Sequence, residues 1–253
     1  MVFEKYAQYY DLLYQEKDYQ GESNYVMSLL SKFKPEAEKL LEFGSGSGIH
    51  ARILANAGFK VYGIEKSQQM IDLGEVSNAE IDNKENFSIK KGDCTNTYID
   101  NDFDAVISLF HVFSYQTSDD SVIGMLKNAY RQLKKGGVLI FDFWYAPAVW
   151  TIGPTLKVKR VQNDEISITR IAEPKCSKPK NIVEVNYQTF IKNRSCGKIS
   201  EIKETHVMRA FNINEIVQFA KECGFVLLLS EEWITGNQPC DQTWGVCSIL
   251  QKK

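Results

Sequence analysis

Three glycines at alternate positions, Gly44, Gly46 and Gly48 in KLLEFGSGSGIH, follow a short apolar run. Residues without a β-carbon let the main chain adopt positive φ and come close to a bound molecule. Where such a loop opens a helix, the free amides there favour an acceptor atom or a carboxylate. A nucleotide-type cofactor accounts for a loop of this kind. Glu65 ends the next apolar segment, in VYGIEKS. It stands about twenty residues past the loop, the separation at which a carboxylate grips both ribose hydroxyls. Asp93, beside Cys94 in KGDC, is an acceptor for an adenine amino group. His111 and His206 are candidates for moving protons near neutral pH, and Tyr14 for orienting a nucleophile by a hydrogen bond.

Spacing narrows the cofactor. A dinucleotide loop has the form G-x-G-x-x-G. Here the third glycine arrives one residue early, and Ile49 takes the place of the last glycine. A nicotinamide dehydrogenase is therefore opposed, although Glu65 serves either cofactor type.

These residues need elements to hold them. KLLEF, KVYGIE, FSIKKGD, FDAVISLF and VLIFDFW have the composition of strands. Helical segments separate them: GIHARILANAG, SQQMIDLGEVS and SVIGMLKNAYRQLKKGG. A further helix is expected in GESNYVMSLLSKF, ended by Pro35, within an N-terminal helical cap over residues 1–35. Strands alternating with helices predict a parallel sheet covered on both faces. From residue 151 to 211 the pattern changes to period two. NIVEVNYQTFIK sets Val183, Val185, Tyr187, Thr189 and Ile191 against Glu184, Asn186 and Gln188, which predicts an antiparallel sheet with one wet face. EPKCSKPKN reads as a loop between two of its strands. NINEIVQFAKECG returns to helix, and FVLLLSEEWI and WGVCSILQK supply two last strands. The predicted fold is α/β, with a doubly wound sheet formed by residues 36–150 and 212–253. A small antiparallel insertion precedes the last helix and serves as a lid or as a face for pairing two copies.

Composition excludes several partner classes. A formal net charge of −2 provides no basic field for nucleic acid or an anionic membrane. No apolar run reaches the ~20 residues of a membrane helix, and MVFEKYAQYYD lacks the form of a secretory leader. The six cysteines are dispersed, with no CxxC pair, as expected of reduced thiols in a cytoplasmic protein. No metal-ligand constellation stands out.

Taken in order, LLEFGSGSG, GIEKS, GDC, FDAVISLF and LKKGG resemble the class I S-adenosylmethionine-dependent methyltransferases, over roughly Leu40 to Trp144. The resemblance implies a Rossmann-like, mostly parallel seven-stranded sheet and S-adenosyl-L-methionine as cofactor. It further implies that Phe43, Gly44, Gly46 and Gly48 lie along the methionine part, and that Glu65 holds the ribose. Lys66 and Met70 would lie near ribose and adenine, Asp93 and Cys94 beside adenine, and Leu109 to His111 along the methyl group.

The N-terminal YYDLLYQEKDY, carrying Tyr10, Asp11, Tyr14, Lys17, Asp18 and Tyr19, is similar to the start of nucleotide-linked amino-sugar N,N-dimethyltransferases. FDFWYAP and ETHVMRAF have counterparts there as well. The loop after His111 and the segment GNQPCDQTWGV depart from that pattern. The expected acceptor is thus a small-molecule amine, with no nucleic-acid or membrane partner. O-methylation of a small metabolite, a dehydrogenase and a non-catalytic binding protein of the same fold remain alternatives. Tyr14, His111 and His206 are the catalytic candidates, Tyr14 also packing around the sulfonium. Trp144, Tyr145, Lys17 and Arg209 are the acceptor-binding candidates, the two cations for a diphosphate. Each has a plain structural alternative: a satisfied strand histidine, a core aromatic, a solvated surface cation.

Overall fold

The computed structural model describes residues 7–77, 84–99 and 102–253. Five strands run parallel: β1 (Lys39–Phe43), β2 (Lys60–Glu65), β3 (Phe87–Lys91), β4 (Phe103–Ser108) and β5 (Leu133–Trp144). Two later strands, β10 (Phe225–Glu232) and β11 (Gly245–Lys252), complete a seven-stranded sheet of order β10-β11-β5-β4-β1-β2-β3. β11 is antiparallel to both of its neighbours. The order reverses between β1 and β4, the place where an open α/β sheet leaves a crevice at its carboxyl edge.

Each central strand is apolar on both faces because it serves two cores. Leu41, Val106, Leu139 and Phe141 pack toward α5 (Asp119–Gln132) and α7 (Ile213–Glu222). Their alternates Leu40, Ala105, Ile107, Val138 and Ile140 pack toward α2 (Tyr19–Phe33) and α3 (Ile49–Asn56). α4 (Gln68–Ser77) follows β2, and α1 (Ala7–Tyr14) opens the described chain. A short helix, α6 (Ala146–Ile152), leaves β5 with a proline in its first turn; it was not foreseen from sequence. No helix among the described residues is long and apolar enough to cross a membrane.

Between α6 and α7 stands a separate antiparallel sheet: β6 (Lys157–Gln162), β7 (Ile166–Ser177), β8 (Ile182–Asn193) and β9 (Ile199–Arg209). Two expectations are corrected here. α5 stops at Gln132, and LKKGG begins β5 instead of ending the helix. Positive φ at Gly136 and a register shift between Phe103 and Ala105 accommodate the early start. EPKCSKPKN is mostly strand, since the β7–β8 ladder continues to Ser177↔Ile182 and reverses only at Lys178–Lys180. Pro174 is tolerated because β6 pairs no further than Ala172, which leaves the proline without a neighbour on that side.

Candidate active site

β1 turns directly into the glycine loop, whose backbone is left-handed at Gly44 (φ 70°), Gly46 (56°) and Gly48 (78°). A β-carbon at Gly44 would lie 2.6 Å from Val112, and one at Gly48 2.6 Å from Phe87, so neither admits a side chain. Gly48 caps α3, while Gly44, Ser45, Gly46, Ser47 and Leu109 line a cleft. Phe43 is corrected: its ring is fully buried among the α5–α7 core residues and faces away from that cleft. The neighbouring Glu42 takes the opposite face, as strand alternation requires.

Glu65 ends β2 and closes onto the loop. Its Oε2 accepts from the Gly46 N–H and its Oε1 from the Ser67 N–H, both at 2.8 Å. Each oxygen keeps a second lone pair, so a ribose diol still finds two acceptors. Burial raises the Glu65 pKa, and those amides pull it back. Glu42 is 2% exposed, lines the cleft, and its Oε2 lacks a hydrogen-bond partner. Burial, then the charge of Glu65, push its pKa up to about 8. A buried, unpartnered carboxyl facing a cleft is satisfied by a cationic ligand. His50 of α3 stands beside it, with Nδ1 3.9 Å from Glu42 Oε1 and Nε2 2.7 Å from Glu22 Oε2. Glu22 in turn pairs with Lys17. Glu42, His50 and Glu22 were missed from sequence; the first two sit inside the glycine-loop stretch itself.

Lys17 belongs to this side of the site. Its ammonium lies 4.6 Å from the Tyr19 ring and 4.5 Å from the Phe110 ring. Asp93 accepts from Lys66 at 2.9 Å and from the Thr95 N–H at 2.9 Å and hydroxyl at 2.7 Å. The Lys66 side chain is 72% exposed. Cys94 is no nucleophile, because burial pushes its thiol up to about 12. Met70 is buried with Tyr9, Tyr10 and Leu13 of α1, its Cε close to Gly46. The side chain of Asp11 lies outside the described residues.

Beyond β4 the chain makes an unusual turn. Phe110 and His111 both have φ 61°, a conformation that side chains disfavour by about 1–3 kcal/mol each. Asp142, within β5, accounts for its persistence: its carboxylate accepts from the His111 N–H at 2.9 and 3.1 Å. His111 Nδ1 also approaches to 2.6 Å, a contact of charge and proximity without hydrogen-bond angles. The Asp142 side chain is 1% exposed. Its sequence signal is its place in FDFWYAP, at the end of the apolar run of β5. Trp144 stacks edge-on against Trp244 at 5.6 Å and lies 6.2 Å from His111. Tyr145 caps α6, half-buried.

The inserted sheet turns its inner face to this region. Tyr14 contacts Phe110 edge-on at 5.2 Å, and its hydroxyl accepts from Arg170 of β7 at 3.2 Å. Arg170 also lies 4.9 Å from the Tyr187 ring of β8. His206 of β9 meets the Tyr115 hydroxyl at 2.7 Å. Arg209 is corrected as a diphosphate ligand. It pairs with Asp119 at 2.7 Å and Glu215 at 3.1 Å and lies over Phe211, fastening β9 to α5 and α7. The nearest substitute is Arg170, which period two alone did not distinguish from its neighbours.

The chain is similar to several known proteins. A sequence family described as "Methyltransferase domain" matches residues 41–141. The Bacillus subtilis (strain 168) protein YqeM is 25% identical over 253 residues, 100% of this chain and 98% of that one. The dTDP-3-amino-3,6-dideoxy-alpha-D-glucopyranose N,N-dimethyltransferase of Streptomyces fradiae is 24% identical, over 81% of this chain and 77% of that one. The crystal structure of an S-adenosylmethionine-dependent methyltransferase from Clostridium acetobutylicum ATCC 824 superposes with a TM-score of 0.82 at 18% identity, covering 99% and 98% of the two chains.

Proposed function

We propose that the chain is an S-adenosylmethionine-dependent methyltransferase whose acceptor is the amino group of a nucleotide-linked amino sugar. S-adenosylmethionine fits the residues present, as a nucleoside with a ribose diol and positive charge. Glu65 would hold the diol, Glu42 would meet the charge, and Gly44 and Gly46 would admit the methionine part. When bound, the cofactor supplies a methyl group on a sulfonium with a good leaving group. The remaining tasks fall to the chain: hold an acceptor nitrogen about 3 Å from that carbon, exclude water, and take a proton.

The observation that carries this reading is the pairing of His111 with the buried Asp142 on the strained turn next to the cleft. A carboxylate that holds a histidine's backbone by its N–H and lies beside its ring fixes where a proton acceptor stands. An amine needs only to lose its ammonium proton, a task within reach of one imidazole. The polar inner face of the inserted sheet, with Arg170 and Tyr187 beside Tyr14 of α1, suits an acceptor rich in hydroxyls and phosphate. Likeness to the Streptomyces fradiae enzyme over most of the chain supports the sugar.

The test is incubation with S-adenosylmethionine and dTDP-3-amino-3,6-dideoxy-α-D-glucopyranose, followed by mass spectrometry. A product heavier by one or two methyl groups on nitrogen is expected. A methyl group found on a hydroxyl oxygen would instead favour the O-methyltransferase reading, which the same His111–Asp142 pair also serves.

A further inference from the structure

The methionine part of the cofactor ends in an ammonium and a carboxylate, and Glu42 meets only the first. A carboxylate leaving water needs hydrogen-bond donors or a cation in exchange. The glycine loop offers few donors of its own. The Gly44 and Ser45 N–H groups donate to the Ile64 carbonyl at 2.8 and 3.2 Å, and the Gly48 N–H donates to the Ser45 carbonyl at 2.8 Å. The Gly46 N–H is held by Glu65. The amides of the three glycines are therefore engaged within the loop and on β2.

Side chains must supply the positive charge, and three basic ones stand nearby. Arg52 donates from Nη1 to the Ser47 carbonyl at 2.6 Å. His50 lies between two carboxylates, with Nε2 toward Glu22 and Nδ1 toward Glu42. Lys17 differs from both. It belongs to the turn between α1 and α2, and its ammonium lies 4.6 Å from the Tyr19 ring and 4.5 Å from the Phe110 ring. Both rings line the cleft together with Glu42, Gly44 and Gly46. The Lys17 side chain is 12% exposed. Glu22 Oε2 pairs with its ammonium, and the same oxygen holds His50, another residue of the cleft wall. Beyond that ion pair the buried Nζ has no hydrogen-bond acceptor. An ammonium carries three N–H donors, so one carboxylate leaves it short of partners. A second carboxylate arriving in the cleft makes up the deficit with charge-assisted hydrogen bonds.

We propose that Lys17 receives the carboxylate of the cofactor's methionine part, while Glu42 meets its ammonium and Glu22 fixes where the lysine stands. The assignment rests on the reading of the cofactor as S-adenosylmethionine and does not depend on the acceptor. It moves Lys17 from the acceptor's diphosphate to the cofactor. It also makes the cofactor a tie between the α1–α2 turn and the glycine loop, and it selects nucleosides that carry a whole amino-acid head.

Calorimetry with three nucleosides tests it: S-adenosylhomocysteine, its decarboxylated analogue, which keeps the amine, and 5′-methylthioadenosine, which lacks both groups. The parent should bind S-adenosylhomocysteine at least about 10-fold more tightly than the decarboxylated analogue. Lys17→Met should abolish that preference, bringing the two affinities within about twofold, and should leave 5′-methylthioadenosine within about twofold of the parent. Lys17→Arg keeps the charge and should keep most of the preference. Equal losses for all three nucleosides in Lys17→Met would make Lys17 a residue of cleft shape alone and overturn the proposal. An unchanged preference in Lys17→Met would overturn it as well, since the carboxylate would then lie elsewhere. If the parent binds none of the three, the cofactor reading itself fails and the assignment falls with it.

Discussion

The cofactor cleft and the space beneath the inserted sheet meet at Phe110 and Tyr14, yet they are built by different means. The cleft is made largely of main chain: left-handed glycines, and loop amides that bind Glu65. Its parts come from β1, β2 and the turn after β4, adjacent strands of one parallel sheet. The proposed acceptor side is made of side chains from α1, the turn after β4, β7, β8 and β9, brought together across long stretches of sequence. Backbone surfaces suit a ligand whose identity does not change. Side-chain surfaces can be re-cut residue by residue, which is the physical basis for one domain serving many acceptors.

Substitutions can break or sharpen this contrast. The largest effect is expected at the boundary, where His111→Ala should lower methyl transfer by roughly 10²–10⁴-fold while S-adenosylhomocysteine affinity, measured by calorimetry, stays within about threefold. An equal loss in both would place His111 in the cleft instead. Glu65→Ala should weaken S-adenosylhomocysteine by about 10²-fold and also lower thermal stability, because two loop amides lose their acceptor. Unchanged affinity would show that main chain alone holds the ribose.

Glu42→Gln comes next and is read against pH. The folded carboxyl titrates near 8 against an ordinary value of 4.5, so its ionisation increasingly opposes folding as pH rises through that window. The variant should match the parent near pH 4 and exceed its melting temperature at pH 8, by on the order of a few kcal/mol in stability. Cofactor affinity of the parent should rise toward pH 8 as the carboxylate forms, and the variant should lose that slope. A flat parent profile would mean that Glu42 does not meet the ligand's charge. The smallest effect is Lys66→Ala. Its exposed pair with Asp93 is worth well under about 1 kcal/mol, and affinity should move less than about twofold. A tenfold loss would return Lys66 to the cofactor.

Much of the first region was legible in advance. The alternating glycines, the acid at the end of β2 and the strand–helix alternation are local patterns, and a strand's apolar run ends where its loop begins. The same locality explains the errors. Phe43 and Glu42 are neighbours in sequence, but the pleat sends one into the core and the other into the cleft. Helix propensity in RQLKKGG lost to pairing with β4 and β11, which claims Leu133 and Val138 onward for the sheet. Pro174 suggested a loop, yet an edge position made it harmless.

Local spacing was sufficient for the class of fold, the crevice and the kind of molecule that lies in it, since φ signs, strand periods and a single following acid act within a few residues. The placements of Asp142 and Arg170 needed the folded chain. Their meaning depends on which side chains meet across elements remote in sequence, and burial and charge arise only after those elements pack.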